Sequence, residues 1–389
     1  STTFPVTFTI HFANKDTKVD IVRYVPRSDG SNGNWDEVLV EYDNSFSASI
    51  TKWKEYKTYK LNRSGNPYDF DFSSDDLKVR KIRFTIKSGA ENLASAAEIE
   101  AYVIDNSKQE AFAPYFSDAL FTELKPEVTS SEGIEDADVK TLVDNLLADK
   151  EGYSKFRVGE YEPYRTLSSL QKEFKSSSTY NPWENPTGIY LEKGDVCYVA
   201  VDGIVDEKVG LSIKTWCGYQ TGTNEKGEPT YQQTEEGSSY SLRNGLNMIT
   251  ATTEGNVFVD YFTDNYETAS NVRMHFVNAP VRGYWDQKTM TNEDWKTMLS
   301  VLPDDNSIII VRSEHAQLAY PVSAWKKHCP VNVDSLMTLY QQVQWAERDI
   351  MGLEKYGRQT KNRQLYYATV YGFMAAGGHV KEVADKTVD

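Results

Sequence analysis

Residues 184–203 read ENPTGIYLEKGDVCYVAVDG, and this stretch restricts the architecture more than any other. Pro186 and Gly188 interrupt any helix, Ile189, Tyr190 and Leu191 form a short apolar run, and Lys193, Gly194 and Asp195 have the composition of a turn. Residues 196–201 are then β-branched and aromatic. The pattern predicts a β-hairpin that opens a domain, with the preceding chain forming a separate module or a helical adaptor. At 389 residues the chain is long for one hydrophobic core, so several domains are expected.

Upstream, Phe8, Ile10 and Phe12 alternate with Thr7, Thr9 and His11, a period of two that predicts a half-buried strand with His11 facing outward. Two further strand-like runs flank a Gly- and Asn-rich loop at residues 28–34. Residues 77–79 and 82–86 alternate on either side of a one-residue slip at Arg80 and Lys81, which predicts a β-bulge. Residues 94–103 supply a closing strand, so residues 1–104 read as an all-β sandwich.

Residues 105–183 read as a linker and helical adaptor. A stripe of Val139, Leu142, Val143, Leu146 and Leu147 headed by Asp136 predicts a helix over residues 134–150, and Leu167, Leu170 and Phe174 predict a shorter one. FRVGEYEPYRT between them reads as an extended connector. Residues 184–288 are β-rich: a strand at 211–219, a Gln-, Glu- and Gly-rich loop at 220–237, two short strands around Glu254, Gly255 and Asn256, and another carrying His275. Residues 289–389 are mixed. Thr291 begins a helix stopped by Pro303, SIIIV is a buried strand, and Asp334 caps a long helix.

The formal net charge of -15 opposes approach to phosphate, so neither a nucleic acid nor an anionic membrane is an expected partner. No apolar run reaches the length of a transmembrane segment. Cys197, Cys217 and Cys329 cannot all pair with one another; Cys197 and Cys217 lie in neighbouring strand-like runs, free buried thiols are the expectation, and no zinc-knuckle spacing occurs. Aromatic residues make up 13% of the chain, and such rings serve sheet cores and sugar stacking alike. A glycan site needs a ring to stack on a sugar face and amide or guanidinium donors for its hydroxyls. Asn32 with Trp35, and Arg63 with Asn66 and Tyr68, have that mixture and are the candidate glycan-binding residues. Their structural alternative is turn chemistry around a core Trp.

Residues carrying YVPR from Tyr24, then Asp29-Gly30 and Asn32-Gly33, KIRFTIKSG from Lys81, and SAAEIEAYV resemble a discoidin-like domain of the coagulation-factor type C family over roughly residues 4–104. That resemblance implies a jelly-roll whose end loops bind glycans and in which calcium can be present; the family's opening segment is not visible before Ser1. ENPTGIYLEKGD, VFVDYFTD, VRMHFVNAPVRGYWD and LYYATVYGFMAAGGHV resemble the enhancin-like, mucin-targeting zinc metallopeptidases of the gluzincin type. Together they imply an all-β jelly-roll sandwich, a short helical adaptor, and a β-sandwich followed by an incomplete α/β peptidase-type domain. They also imply an extracellular or cell-surface location in a bacterium and glycoprotein or glycan partners.

A member of that family holds zinc with two His at i and i+4 of one helix, uses the Glu between them as general base, and takes a further Glu downstream. The five histidines are His11, His275, His315, His328 and His379, and no HExxH occurs. Zinc therefore belongs to the parent family, and no ligand or base is assigned to this chain, which is expected to stop short of the motif. The resemblance implies the non-catalytic N-terminal portion of a secreted zinc endopeptidase; the alternative is a surface glycan- or protein-binding protein without catalysis. Glu314 with His315 reads as a solvent-facing polar pair or as a group at a strand end. His328 with Cys329 lacks an assignable base, and His379 sits in a Gly-rich turn.

Overall fold

The computed structural model describes residues 3–384 except 15, 28–31, 46–49, 66, 76, 176–179, 228, 370–374 and 378–379. It divides into two compact units, Ser1–Asn106 and Ser107–Asp389.

The first unit contains β1 (Val6–His11), β2 (Thr17–Lys18), β3 (Ile21–Val25), β4 (Glu37–Asp43), β5 (Lys54–Lys60), β6 (Tyr68–Asp71), β7 (Lys78–Val79), β8 (Lys81–Ile86) and β9 (Glu98–Tyr102). One antiparallel sheet runs β1-β8-β4-β5, a second runs β6-β3-β9, and β2 pairs with β7. The core lies between the two larger sheets: Val38, Val40, Ile82, Phe84 and Ile86 from one meet Val22, Tyr24 and Phe70 from the other. Period-two sequence produces this directly, since alternate side chains of β8 are buried while Lys81, Arg83 and Thr85 face away. The slip at Arg80 is not a bulge. β7 pairs with β2 and β8 with β1 and β4, so the chain changes sheet there, and each segment keeps its own alternation.

The second unit begins with α1 (Ser107–Phe112), α2 (Ala137–Ser154), β10 (Val158–Tyr161) and α3 (Leu167–Phe174). It continues with β11 (Asn185–Leu191), β12 (Val196–Asp202), β13 (Gly210–Thr223), β14 (Pro229–Ser241), β15 (Gly245–Thr250), β16 (Gly255–Asp260) and β17 (Val272–Phe276). Last come β18 (Trp285–Asp286), α4 (Asn292–Val301), β19 (Ile308–Arg312), β20 (Ala316–Pro321), α5 (Val322–His328), α6 (Val333–Ile350), β21 (Gln364–Thr369), β22 (Ala375–Gly377) and β23 (Val380–Ala384).

These elements stack in layers. Sheet β10-β17-β12-β15 faces sheet β11-β16-β13-β14 across a core of Val199, Val201, Met274 and Phe276 against Ile189, Leu211, Ile213 and Val259. Helices α1 and α2 cover the outer face of the first sheet, where Phe112, Val139, Leu142 and Leu146 meet Ala200 and Val277. The outer face of the second sheet, with Trp216 and Phe258, packs on Ile308, Ile310, Ala319 and Leu365 of a mixed sheet ordered β18-β19-β20-β21-β23-β22. Trp295, Leu299, Trp325 and Met337 of α4, α5 and α6 cover that sheet's far side over Ile309, Val311 and Leu318. A strand buried on both faces needs a continuous apolar run, which is why β19 reads IIIV without alternation.

Four further sequence expectations are corrected. Residues 184–203 do not form a hairpin: β11 pairs with β16 while β12 pairs with β15 and β17, so the Lys193–Asp195 turn carries the chain from one sheet to the facing one. Both strands are apolar because they line one core from opposite sides. The loop expected at 220–237 is mostly strand. β13 and β14 form a long hairpin whose second arm is a sheet edge, and an edge strand facing water can be polar. The expected connector contains β10, paired with β17. Asn332, not Asp334, caps α6, its side chain accepting from the Ser335 N–H at 3.1 Å.

Candidate functional site

In the first unit, two loops carry the glycan candidates. The Trp35 carbonyl accepts from the Arg63 N–H at 3.1 Å, the Arg63 guanidinium reaches Asp36 at 3.2 Å, and Asn34 Nδ2 donates to the Arg63 carbonyl at 3.4 Å. These bonds hold Trp35 and Arg63 in one loop cluster. Trp35 is not a stacking platform: it is 3% exposed and lies flat on Tyr24, ring centroids 4.1 Å apart, with Phe70 and Phe84 beside it. A Trp that fills the core end of a sandwich is recruited by burial of its area. Asn32 is half-buried and its carbonyl accepts from Ser95 Oγ at 3.1 Å. Arg63 is exposed; Tyr68 is half-buried against Tyr59 and Phe70, and burial pushes its phenol up to about 12. Asn66 lies outside the described residues.

A second constellation on the same unit was missed. Trp53, half-buried, lies under the Arg83 guanidinium at 4.3 Å, and Arg83 makes a two-pronged pair with Glu41 at 2.7 and 2.6 Å. A ring, a guanidinium and a carboxylate side by side can meet a sugar face and its hydroxyls. Its signal lies in the outward positions of β8 and β4, where Arg83 stands opposite Glu41 in register, and that register is not visible from local sequence.

Among the described residues no three His, Cys, Asp or Glu side chains stand together as a metal site. His11 is exposed on β1. His275 is buried on β17, its Nδ1 2.7 Å from the Leu120 carbonyl and its Nε2 2.8 Å from the Tyr153 hydroxyl, whose oxygen also lies 2.5 Å from the Val277 carbonyl oxygen. Burial pushes this imidazole down to about 4, so it is a neutral strap between α2, the residue-120 turn and the sheet. The expectation of a solvent-facing Glu314–His315 pair is half wrong: Glu314 is exposed, whereas His315 is 6% exposed and edge-on to Trp345 at 5.3 Å. His328 ends α5, and His379 lies outside the described residues. Cys197 and Cys329 are free thiols, both raised by burial, which opposes activation as a nucleophile. The Cys217 side chain lies outside the described residues. These scattered donors do not fit a catalytic zinc.

The strongest electrostatic feature of this unit is a seam between the sandwich and the mixed sheet. Glu184, fully buried just before β11, accepts from the Arg363 backbone N–H at 2.6 Å and its guanidinium at 3.1 Å. Arg363 also donates to the Tyr164 hydroxyl at 2.8 Å and the Ser313 carbonyl at 2.7 Å. Arg312 pairs with Asp286 at 2.7 Å and reaches the Glu184 carbonyl. Burial pushes the Glu184 carboxyl up to about 7, outweighing the opposite pull of Arg363. Because both carboxylate oxygens of Glu184 are taken by Arg363, and Arg363 Nε and Nη1 are bonded to Ser313, Tyr164 and Glu184, this seam is an internal fastening.

No family model matches the sequence, and no curated protein matches it. Solved structures do. A metallopeptidase from Bacteroides thetaiotaomicron shares 21% identity over 74% of this chain and 48% of its own, with a TM-score of 0.61. A metallopeptidase in complex with Tn antigen shares 22% identity over 61% of this chain and 43% of its own, with a TM-score of 0.53. The CBM32-1, CBM32-2 and M60 catalytic domains of Clostridium perfringens ZmpB share 16% identity over 100% of this chain and 42% of theirs, with a TM-score of 0.52. The chain thus spans less than half the length of these structures, and at such identities the likeness is one of fold. The layered sandwich and mixed sheet are those of the enhancin-like, M60 type of metallopeptidase fold.

Proposed function

We propose that this chain is the glycan-recognising and scaffolding portion of a secreted zinc metallopeptidase that acts on glycoproteins such as mucins. The observation that carries the reading is a combination. The whole chain aligns with a structure made of carbohydrate-binding and M60 catalytic domains, yet the sequence contains no HExxH. On this reading residues 1–104 are a discoidin-like jelly-roll, residues 105–183 an adaptor, residues 184–288 the β-rich opening of the peptidase-family domain and residues 289–389 the start of its catalytic subdomain. Zinc then belongs to the parent enzyme.

The glycan contacts fall to the Asn32–Arg63–Asn66–Tyr68 loops or to Trp53 with Arg83 and Glu41. Calorimetric titration of the 389-residue chain with a Tn-antigen glycopeptide and mucin-derived glycans separates them. Arg63→Ala weakens binding several-fold if the loops hold the sugar, and Trp53→Ala does so if the sheet face does. Absence of measurable heat with every mucin-type glycan sinks the carbohydrate reading. The missing motif also favours a second reading, a surface glycan- or protein-binding protein without catalysis. The gene sequence following the codon for Asp389 decides between them, because an HExxH with a downstream Glu excludes it.

A further inference from the structure

The helix side of the mixed sheet carries a cation with no counter-ion. Arg348, in the last turn of α6, is 6% exposed, and no carboxylate among the described residues lies within ion-pairing distance. Its Nη1 donates to the Thr360 carbonyl at 3.2 Å, while its buried Nε–H has no partner. A buried guanidinium in that condition is strongly unfavourable. The α6 dipole presents about half a charge to it, and this leaves the Nε–H still without an acceptor.

Three neighbours share the deficit. Gln341, Trp345 and Arg348 follow one another at i, i+4 and i+7, one stripe of α6. Gln341 Oε1 accepts from the His315 N–H at 3.1 Å and Trp345 touches the His315 ring, so the stripe faces the entrance to β20. The next strand entrance lies alongside, with the Gln364 N–H donating to the His315 carbonyl at 3.0 Å. Asn362, 2% exposed, is bound through Oδ1 to Thr360, the residue that holds Arg348. Gln341 Nε2, His315 Nδ1 and Asn362 Nδ2 are all buried without partners. Two of these are obligatory N–H donors, and the imidazole becomes one in its Nδ1–H tautomer. Glu347, next along the helix, accepts from Gln344 Nε2 at 3.1 Å.

We infer that Arg348, Asn362, Gln341 and His315 form a binding site for a small oxyanion of carboxylate or phosphate type. Such a ligand supplies the missing counter-charge and several acceptor lone pairs at once, which a water molecule cannot do. Half-exposed Trp345 forms its outer wall.

The test is thermal denaturation of the 389-residue chain titrated with sodium phosphate and sodium acetate, with sodium chloride at matched ionic strength separating recognition from screening. The expected result is a saturable rise in Tm with an oxyanion and none with chloride, with Kd weakened at least tenfold in Arg348→Gln. Asn362→Asp puts a carboxylate on the segment whose Thr360 carbonyl accepts from Arg348. It should melt above the wild type in plain buffer and lose the oxyanion response, a readout that stands if Arg348→Gln fails to fold. Equal responses to chloride and oxyanions overturn the site, as does an oxyanion affinity unchanged in Asn362→Asp. A crystal structure grown in phosphate with only water at Arg348 Nε overturns it too.

Discussion

His275 and Arg363 illustrate how single side chains fasten the second unit. The imidazole of His275 is held near 4 by burial, against an ordinary value of 6.5. Its folded value is depressed, so the unfolded chain takes up the proton first as pH falls. The contribution is complete above about 6.5 and is lost toward 4, on the order of 3 kcal/mol in all. Glu184, raised to about 7, works in the opposite sense: its contribution is complete below 4.5 and is lost as pH rises toward 7. The wild-type curve mixes both. Chemical denaturation of wild type beside His275→Gln isolates the first, and the gap between them should shrink by about 3 kcal/mol from pH 7 to pH 4. A gap constant with pH refutes the assignment. Arg363→Met removes the partner of a fully buried carboxylate together with bonds to Tyr164 and Ser313, and urea denaturation should report a loss of about 3–5 kcal/mol. The Glu184–Arg363 pair was not legible in the sequence, because the two residues lie 179 positions apart and only the stacking of two sheets brings them together.

Among elements, β11 shows most clearly what a sequence conveys. Gly188 sits at φ +79° where the β11 pairing with β16 shifts register, and a Cβ there would stand 3.0 Å from the Gly283 Cα and 2.8 Å from the Phe156 ring. Gly188→Ala combines left-handed strain with a backbone clash, so a loss of about 1–3 kcal/mol is expected in a urea melt; a neutral result would mean that the Gly283 backbone and the Phe156 ring give way at that point. Asp136, which caps α2 by accepting from the Asp138 and Val139 N–H groups and pairs with Lys108, should cost about 0.5–2 kcal/mol when replaced by Ala. Capping and periodicity are local, and the sequence located both Asp136 and Thr291 from them. Partner strands are not local. The same alternation in residues 196–201 suits a hairpin or a strand in the facing sheet, and only the long-range pairing of β12 with β15 and β17 decides. Trp35 was ambiguous for the same reason: an aromatic beside a polar loop is equally a platform or a core plug until Tyr24 is known to lie under it.

At the scale of the molecule, the second unit is a stack in which each inner layer is covered on both sides, and that stacking keeps the buried imidazoles of His275 and His315 on opposite faces. His275 lies beneath the helices on one outer face, His315 beneath α6 on the other, and the sandwich core with Cys197 lies between. A gluzincin centre demands two imidazoles one helical turn apart and a carboxylate base within hydrogen-bond reach of the bound water. No backbone shift short of unfolding brings His275 and His315 to one helix face, and the sequence offers no His pair at i and i+4. The 389-residue chain supplied with excess zinc should therefore leave casein and mucin intact on gels over a prolonged incubation. Cleavage that a zinc chelator abolishes would show that a site assembles from elsewhere in the chain. Cleavage that survives the chelator would point to a contaminating protease, and repeating the assay after His275→Gln and His315→Gln tells whether either imidazole takes part.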